Sequence, residues 1–82
     1  MAILLPQFNR ITFDPQVMAG RACIRGMRIA VSLVVGLVAR GMSAEQIVNA
    51  YPELEPGDIQ QSLEYAAWLA DDRIGTLEAS VP

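Results

Sequence analysis

The sequence contains no histidine and no lysine, and its single cysteine is Cys23. Without histidine there is no Ser-His-Asp or Cys-His nucleophile system. There is also no HExxH site and no cysteine–histidine zinc cluster. Without lysine there is no P-loop and no Schiff-base chemistry. Gly20 and Gly26 are spaced G-x5-G, which fits neither the P-loop nor the GxGxxG dinucleotide fingerprint. A lone cysteine allows no internal disulfide and suits a reducing compartment. Asp71 and Asp72 are adjacent, so on a helix they point about 100° apart and do not grip one ion together. These absences leave no catalytic constellation, no metal ligand set and no cofactor motif, and the expectation is a non-enzyme.

Long hydrophobic runs are missing too, since none approaches the ~20 residues that span a bilayer. The start, MAILLPQFNR, has no basic leader and breaks at Pro6. The reading is a cytoplasmic protein with no membrane contact.

Apolar residues, by contrast, are plentiful. The 82 residues are 52% hydrophobic and only 18% charged. A domain of this size buries about 60% of the surface its unfolded chain exposes. The surplus predicts a partner, either a second copy or another protein. The net charge of −3 is unevenly divided. Residues 1–40 carry five arginines (10, 21, 25, 28 and 40) against Asp14. Residues 41–82 carry eight acids against Arg73. The split suggests different jobs for the two halves, or head-to-tail contact between copies.

Local patterns predict a mainly α domain with a short N-terminal β-hairpin followed by three helices. Residues 1–10 read as an arm, 11–70 as the domain, and 71–82 as a tail or helix extension. Ile11–Phe13 is a predicted strand stopped by Asp14-Pro15, because Asp-Pro favours a turn and proline cannot donate to a ladder. Gly20 and Gly26 supply tight turns. Between them, Ala22–Ile24 is predicted to pair with residues 11–13. From Val31, the apolar spacing Leu33, Val34, Leu37, Val38 is one helical face. Gly36 within it implies close approach by another helix, and Gly41 ends it. Ser43 to Gln46 is a capping box that opens a second helix, and Pro52 stops it. Pro56 suits the first position of a third helix, with Asp58 near its positive end. The order is that of helix-turn-helix domains.

The motifs I-T-x-D-P (Ile11, Thr12, Asp14, Pro15), then Gly20, Ile24, Gly26, Arg28, Ile29, Val31, then Gly41, Ser43, Glu45, Ile47, then Tyr51, Pro52, Leu54 and finally Asp58, Ile59, Leu63, Tyr65, Ala66 resemble domain-of-unknown-function family 433. The resemblance covers residues 10–66. It implies a homeodomain-like, helix-turn-helix fold. It also implies an antitoxin of the VapB type, holding a PIN-like nuclease inactive. The alternative it implies is a dimeric DNA-binding autoregulator acting on operator DNA. Departures from the pattern are Met27 for threonine, Ala22 and Ala30 for prolines, and Glu55 for a hydroxyl cap.

Candidate partner- or DNA-binding residues are Arg21, Arg25, Arg28, Gln60 and Gln61. Asp14, Pro15, Gly20, Gly26, Gly41, Ser43 and Pro52 are read as structural. Arg28, at the motif's fixed arginine, is expected to tie hairpin carbonyls or a carboxylate to the helices, because its fork offers five donors. Arg21 and Arg25 are expected to be more exposed, and suited to insertion among nuclease carboxylates. Gln60 or Gln61 has the chemistry to read adenine. Asp58 and Glu64 on the same helix would repel a phosphate backbone. Asp71, Asp72 and Glu78 are candidates for pairing with a basic partner surface.

Overall fold

The computed structural model describes residues 3–5 and 7–78, with side chains described from Gln7 to Asp71. Three short strands, β1 (Ile3–Leu5), β2 (Phe8–Phe13) and β3 (Ala22–Ile24), form one antiparallel sheet in the order β1-β2-β3. Three helices follow: α1 (Val31–Ala39), α2 (Ala44–Ala50) and α3 (Pro56–Glu78). The architecture is therefore mainly α with a small N-terminal β element.

The central hairpin has the expected pairing. Ile11 opposes Ile24, Thr12 opposes Cys23, and Phe13 opposes Ala22. One expectation is corrected. Residues 8–10 are the first half of β2 rather than an arm, and residues 3–5 pair alongside β2. Local patterning hides this, because β2 does not alternate cleanly: Phe8 and Ile11 are its buried residues, three apart rather than two. A second tight turn lies at Ile24–Met27, where Arg25 and Gly26 both have positive φ, 45° and 75°. The Met27 N–H donates to the Ile24 carbonyl at 2.8 Å. Two consecutive left-handed residues make a type I′ turn, which folds residues 29–30 back on β3 through the Ile24 N–H to Ile29 carbonyl bond (2.9 Å) and the Cys23–Ala30 bridge.

The helix ends follow local chemistry. At the end of α1 the Gly41 N–H donates to Val38 O (2.9 Å) and the Met42 N–H to Leu37 O (3.1 Å). This is a Schellman closure, and Gly41 holds its left-handed position at φ 98°. At the start of α2 the Ser43 hydroxyl accepts from the Gln46 N–H (3.1 Å), while Gln46 Oε1 accepts from the Ser43 N–H (2.8 Å). Replacing Ser43 by alanine removes one half of this box. It is expected to cost about 1 kcal/mol, read as a fall in melting temperature of roughly 4–8 °C.

Strands β2 and β3 and the three helices send residues into one core. Ile11 and Ile24 from the sheet, Val34 from α1 and Ile47 from α2 are fully buried, and Ile59 from α3 is nearly so. Phe8, Val31 and Leu54 complete the cluster. The close approach expected over Gly36 is not met among the described residues, since a Cβ there would have nothing within 4 Å. The tail question is settled as far as Glu78, where α3 ends. Residues 79–82 lie outside the described residues.

Candidate functional site

The densest polar cluster lies where the start of α3 meets β2 and the β3 turn. Its centre is Asp58, whose side chain is fully buried. Three features of sequence put it there. Pro56 fixes the first helical position, so Asp58 falls on the third, facing back to the cap. Its Oδ2 accepts from the Glu55 N–H at 2.8 Å, which supplies half of a capping box where the preceding residue lacks a hydroxyl. Two arginines from the β element then converge on it. Arg25 Nη2 donates to Oδ2 at 2.9 Å and Nε to Oδ1 at 3.1 Å, a forked grip. Arg10 Nη1 donates to Oδ1 at 3.0 Å and to Glu55 Oε1 at 2.8 Å. Arg25 also donates to the Glu53 carbonyl at 2.8 Å.

Further polar contacts extend the cluster along β2. Gln61 Oε1 accepts from the Arg10 backbone N–H at 2.6 Å, and Gln61 Nε2 donates to Asn9 Oδ1 at 3.1 Å. The Ser62 hydroxyl donates to the Asp58 carbonyl at 2.7 Å. Among the described residues no buried side-chain nitrogen or oxygen is left without a partner.

Electrostatics favour the charged forms throughout. Burial alone would raise the Asp58 pKa. The Arg25 hydrogen bonds, the Glu55 N–H and Arg10 outweigh it and hold the carboxyl below its ordinary value. Arg10 is pushed above the usual guanidinium range by its hydrogen bond to Glu55 and then that to Asp58; Arg25 is pushed up by its hydrogen bond to Asp58. Burial raises the Cys23 thiol, with Arg21 and Arg28 pulling the other way, so Cys23 is not an activated nucleophile.

The candidates named from sequence therefore divide. Arg25 and Gln61 are committed to the chain's own structure. The tie expected of Arg28 is made instead by Arg25 and Arg10. The Arg28 side chain is exposed, with no ion pair or hydrogen bond among the described residues, and the Arg21 side chain shares that state. Gln60 is exposed and donates to Glu64 at 3.2 Å. Asp71 is exposed, whereas the Asp72 and Glu78 side chains lie outside those described. Asp14 closes its turn by accepting from the Gln16 N–H at 2.9 Å. Arg10 and Asn9 have no place among the candidates read from sequence, and Glu55 enters there only as the residue replacing a hydroxyl cap. The one signal for them was a charged residue beginning an apolar strand.

Gly57 shows how closely the cluster is packed. A Cβ at this position would stand 2.8 Å from Arg10 Cζ and Nη2. Alanine normally gains up to about 1 kcal/mol over glycine in a helix. Here Gly57→Ala is expected to show none of that gain in the wild-type background, and to recover it when Arg10 is also alanine. A double-mutant cycle by urea denaturation checks this, and equal effects in both backgrounds would rule out the clash.

A second feature is an open apolar groove of about 380 Å³ between α1 and α3. Val31 and Val35 face Tyr65, Ala66 and Leu69 across it, with the exposed Arg21 beside them. Leu33 and Trp68 are the exposed large apolar residues among those described. No three His, Cys, Asp or Glu side chains gather to hold a cation among the described residues. No helix among them is long and apolar enough to cross a membrane.

Comparison with known proteins agrees with the motif pattern. No curated protein matches the chain. A crystal structure of a DUF433 member protein from Anabaena variabilis ATCC 29413 is similar at 28% identity and a TM-score of 0.70, covering 78% of this chain. The match spans 63% of that chain, so the relative is the longer of the two. The family described as protein of unknown function (DUF433) matches residues 11–66, and the chain belongs to that family.

Proposed function

We propose that the protein is a binding module of the antitoxin kind, which neutralises a PIN-like nuclease by protein–protein contact. The observation that supports this best is the outward face of α3. Gln60, Glu64, Ala67 and Asp71 recur at helical spacing and all are exposed, with Glu53 exposed just before the helix. An acidic face suits a basic, RNA-binding surface on a partner. It does not suit a DNA backbone, which demands Lys or Arg at the contact. Arg25 is engaged with Asp58, which leaves Arg21 as the arginine for insertion among nuclease carboxylates.

Recovering the tagged chain from its own cells tests the reading. A small nuclease with a carboxylate cluster is expected at equal stoichiometry, and Glu53→Arg with Glu64→Arg is expected to release it. Recovery of the chain alone would overturn the proposal. One observation favours the second reading, a dimeric autoregulator: Arg21, Arg28 and Arg40 are exposed and make no ion pair among the described residues. If these carry DNA binding, affinity for the operon's own promoter falls steeply with salt, with a slope close to the number of phosphates contacted. A flat salt dependence removes this reading.

A further inference from the structure

The groove between α1 and α3 has walls but no occupant among the described residues. Its walls are Val31 and Val35 on one side and Tyr65, Ala66 and Leu69 on the other. Beside it Gly36 leaves α1 bare, with open space where a side chain would stand. A surface of this shape accepts a helix, since a bare stretch allows backbones to come close.

The same chain carries a helix of matching chemistry. Tyr65 and Trp68 of α3 pack on Phe8 of the core, and Leu69 is the last α3 residue lining the groove among those described. Nine more residues of helix follow, 70–78. At 1.5 Å per residue they extend about 13 Å past the groove. This projection accords with a radius of gyration of 13.8 Å, where a compact domain of this length has about 11.7 Å. In sequence, Ala70, Ile74 and Leu77 recur at i, i+4 and i+7, the spacing of one apolar stripe. Asp71 beside that stripe is exposed. Arg21 beside the groove is exposed and makes no ion pair among the described residues.

We infer that the α1–α3 groove is filled by residues 70–78 of a second copy of this chain, with Asp71 of each copy paired to Arg21 of the other. The arrangement is self-complementary, because each copy offers one groove and one projecting helix end. Two antiparallel α3 helices then cross near Leu69, and each end closes the other's groove. Charge sets the direction of docking: the acidic end of α3 meets the arginine-bearing β element. This inference draws on Arg21 and Asp71, which the antitoxin reading also uses, whereas Glu53 and Glu64, the residues whose reversal tests that reading, lie outside the groove.

Sedimentation of the full chain tests it. The expected species at micromolar concentration has twice the 8.9 kDa mass of one chain. Leu69→Glu, at a residue outside the core cluster, is expected to give a monomer with unchanged helical circular dichroism. Arg21→Glu, a surface change that leaves the core untouched, is expected to weaken the dimer at least about tenfold. Adding Asp71→Arg to it is expected to restore association. A monomeric wild type overturns the proposal and leaves the groove to another chain's helix. A dimer indifferent to both Leu69→Glu and Arg21→Glu also overturns it, since the contact would then lie elsewhere.

Discussion

Replacing Asp58 by alanine is expected to lower stability by roughly 3 kcal/mol, the low end for removing one partner of a buried ion pair. The low end applies because Arg10 and Arg25 keep about a third of their side-chain surface exposed, 34% and 35%, and regain water when their partner goes. The substitution also removes the acceptor that caps the Glu55 N–H. A domain of this length has a total stability of roughly 4–12 kcal/mol. The loss should therefore lower the melting temperature by about 12–24 °C. Asp58→Asn keeps one acceptor oxygen without the charge and should fall between alanine and wild type. A shift for alanine below about 3 °C would refute the assignment of Asp58 as the centre of the cluster.

The same carboxyl predicts an acid limb. Its folded pKa is lowered relative to the ordinary aspartate value, near 3.9 in an unfolded chain. The stability it contributes is complete above that unfolded value and drains away as pH falls toward the folded one. Melting temperature should drop below about pH 4, and Asp58→Asn should flatten that part of the curve. An identical acid limb in the variant would place the titration on other carboxylates.

Phe8→Ala is the second large effect, expected to cost roughly 3 kcal/mol. Phe8 is 5% exposed. Its ring meets Tyr65 edge-on at 5.4 Å and Trp68 at 5.5 Å. Such pairs add to the area term, and the void would open at the joint between β2 and α3. Trp68 is the one tryptophan of the chain, so its fluorescence reports the change directly. The expected result is a red-shifted native emission and a urea midpoint lower by roughly 1–3 M. A midpoint within a few tenths of a molar of wild type would restore residues 1–10 to the role of a dispensable arm.

That arm marks the limit of what local pattern reveals. The Ser43 box, the Schellman turn at Gly41 and the start of α3 at Pro56 were legible, because each depends on residues within a few positions of one another. The pairing of residues 11–13 with 22–24 was legible from the turn residues between them. Phe8 was not, since it stands between polar Gln7 and Asn9 with no alternation to declare which side is buried. The cluster around Asp58 was missed for a related reason. Arg10 and Asp58 are 48 positions apart, and no short-range spacing announces such a pair. The choice between Arg28 and Arg25 turned on backbone geometry. Arg25 sits at a left-handed position beside Gly26, and the tight turn aims its side chain back at α3. The Arg-Gly dipeptide between two short apolar runs was the available clue.

The contacts of Asn9 and Arg10 with Glu55, Asp58 and Gln61 bridge 45 to 52 positions. Everything between those two segments must be drawn into a closed loop before any of these bonds forms, and closing a long loop costs entropy in advance of the reward. The helical hairpin of α1 and α2 and the turn at Arg25–Gly26 need no such closure and can assemble first. The charged cluster then acts late on the folding path, as a latch. Weakening it shortens the lifetime of the folded chain far more than it delays folding.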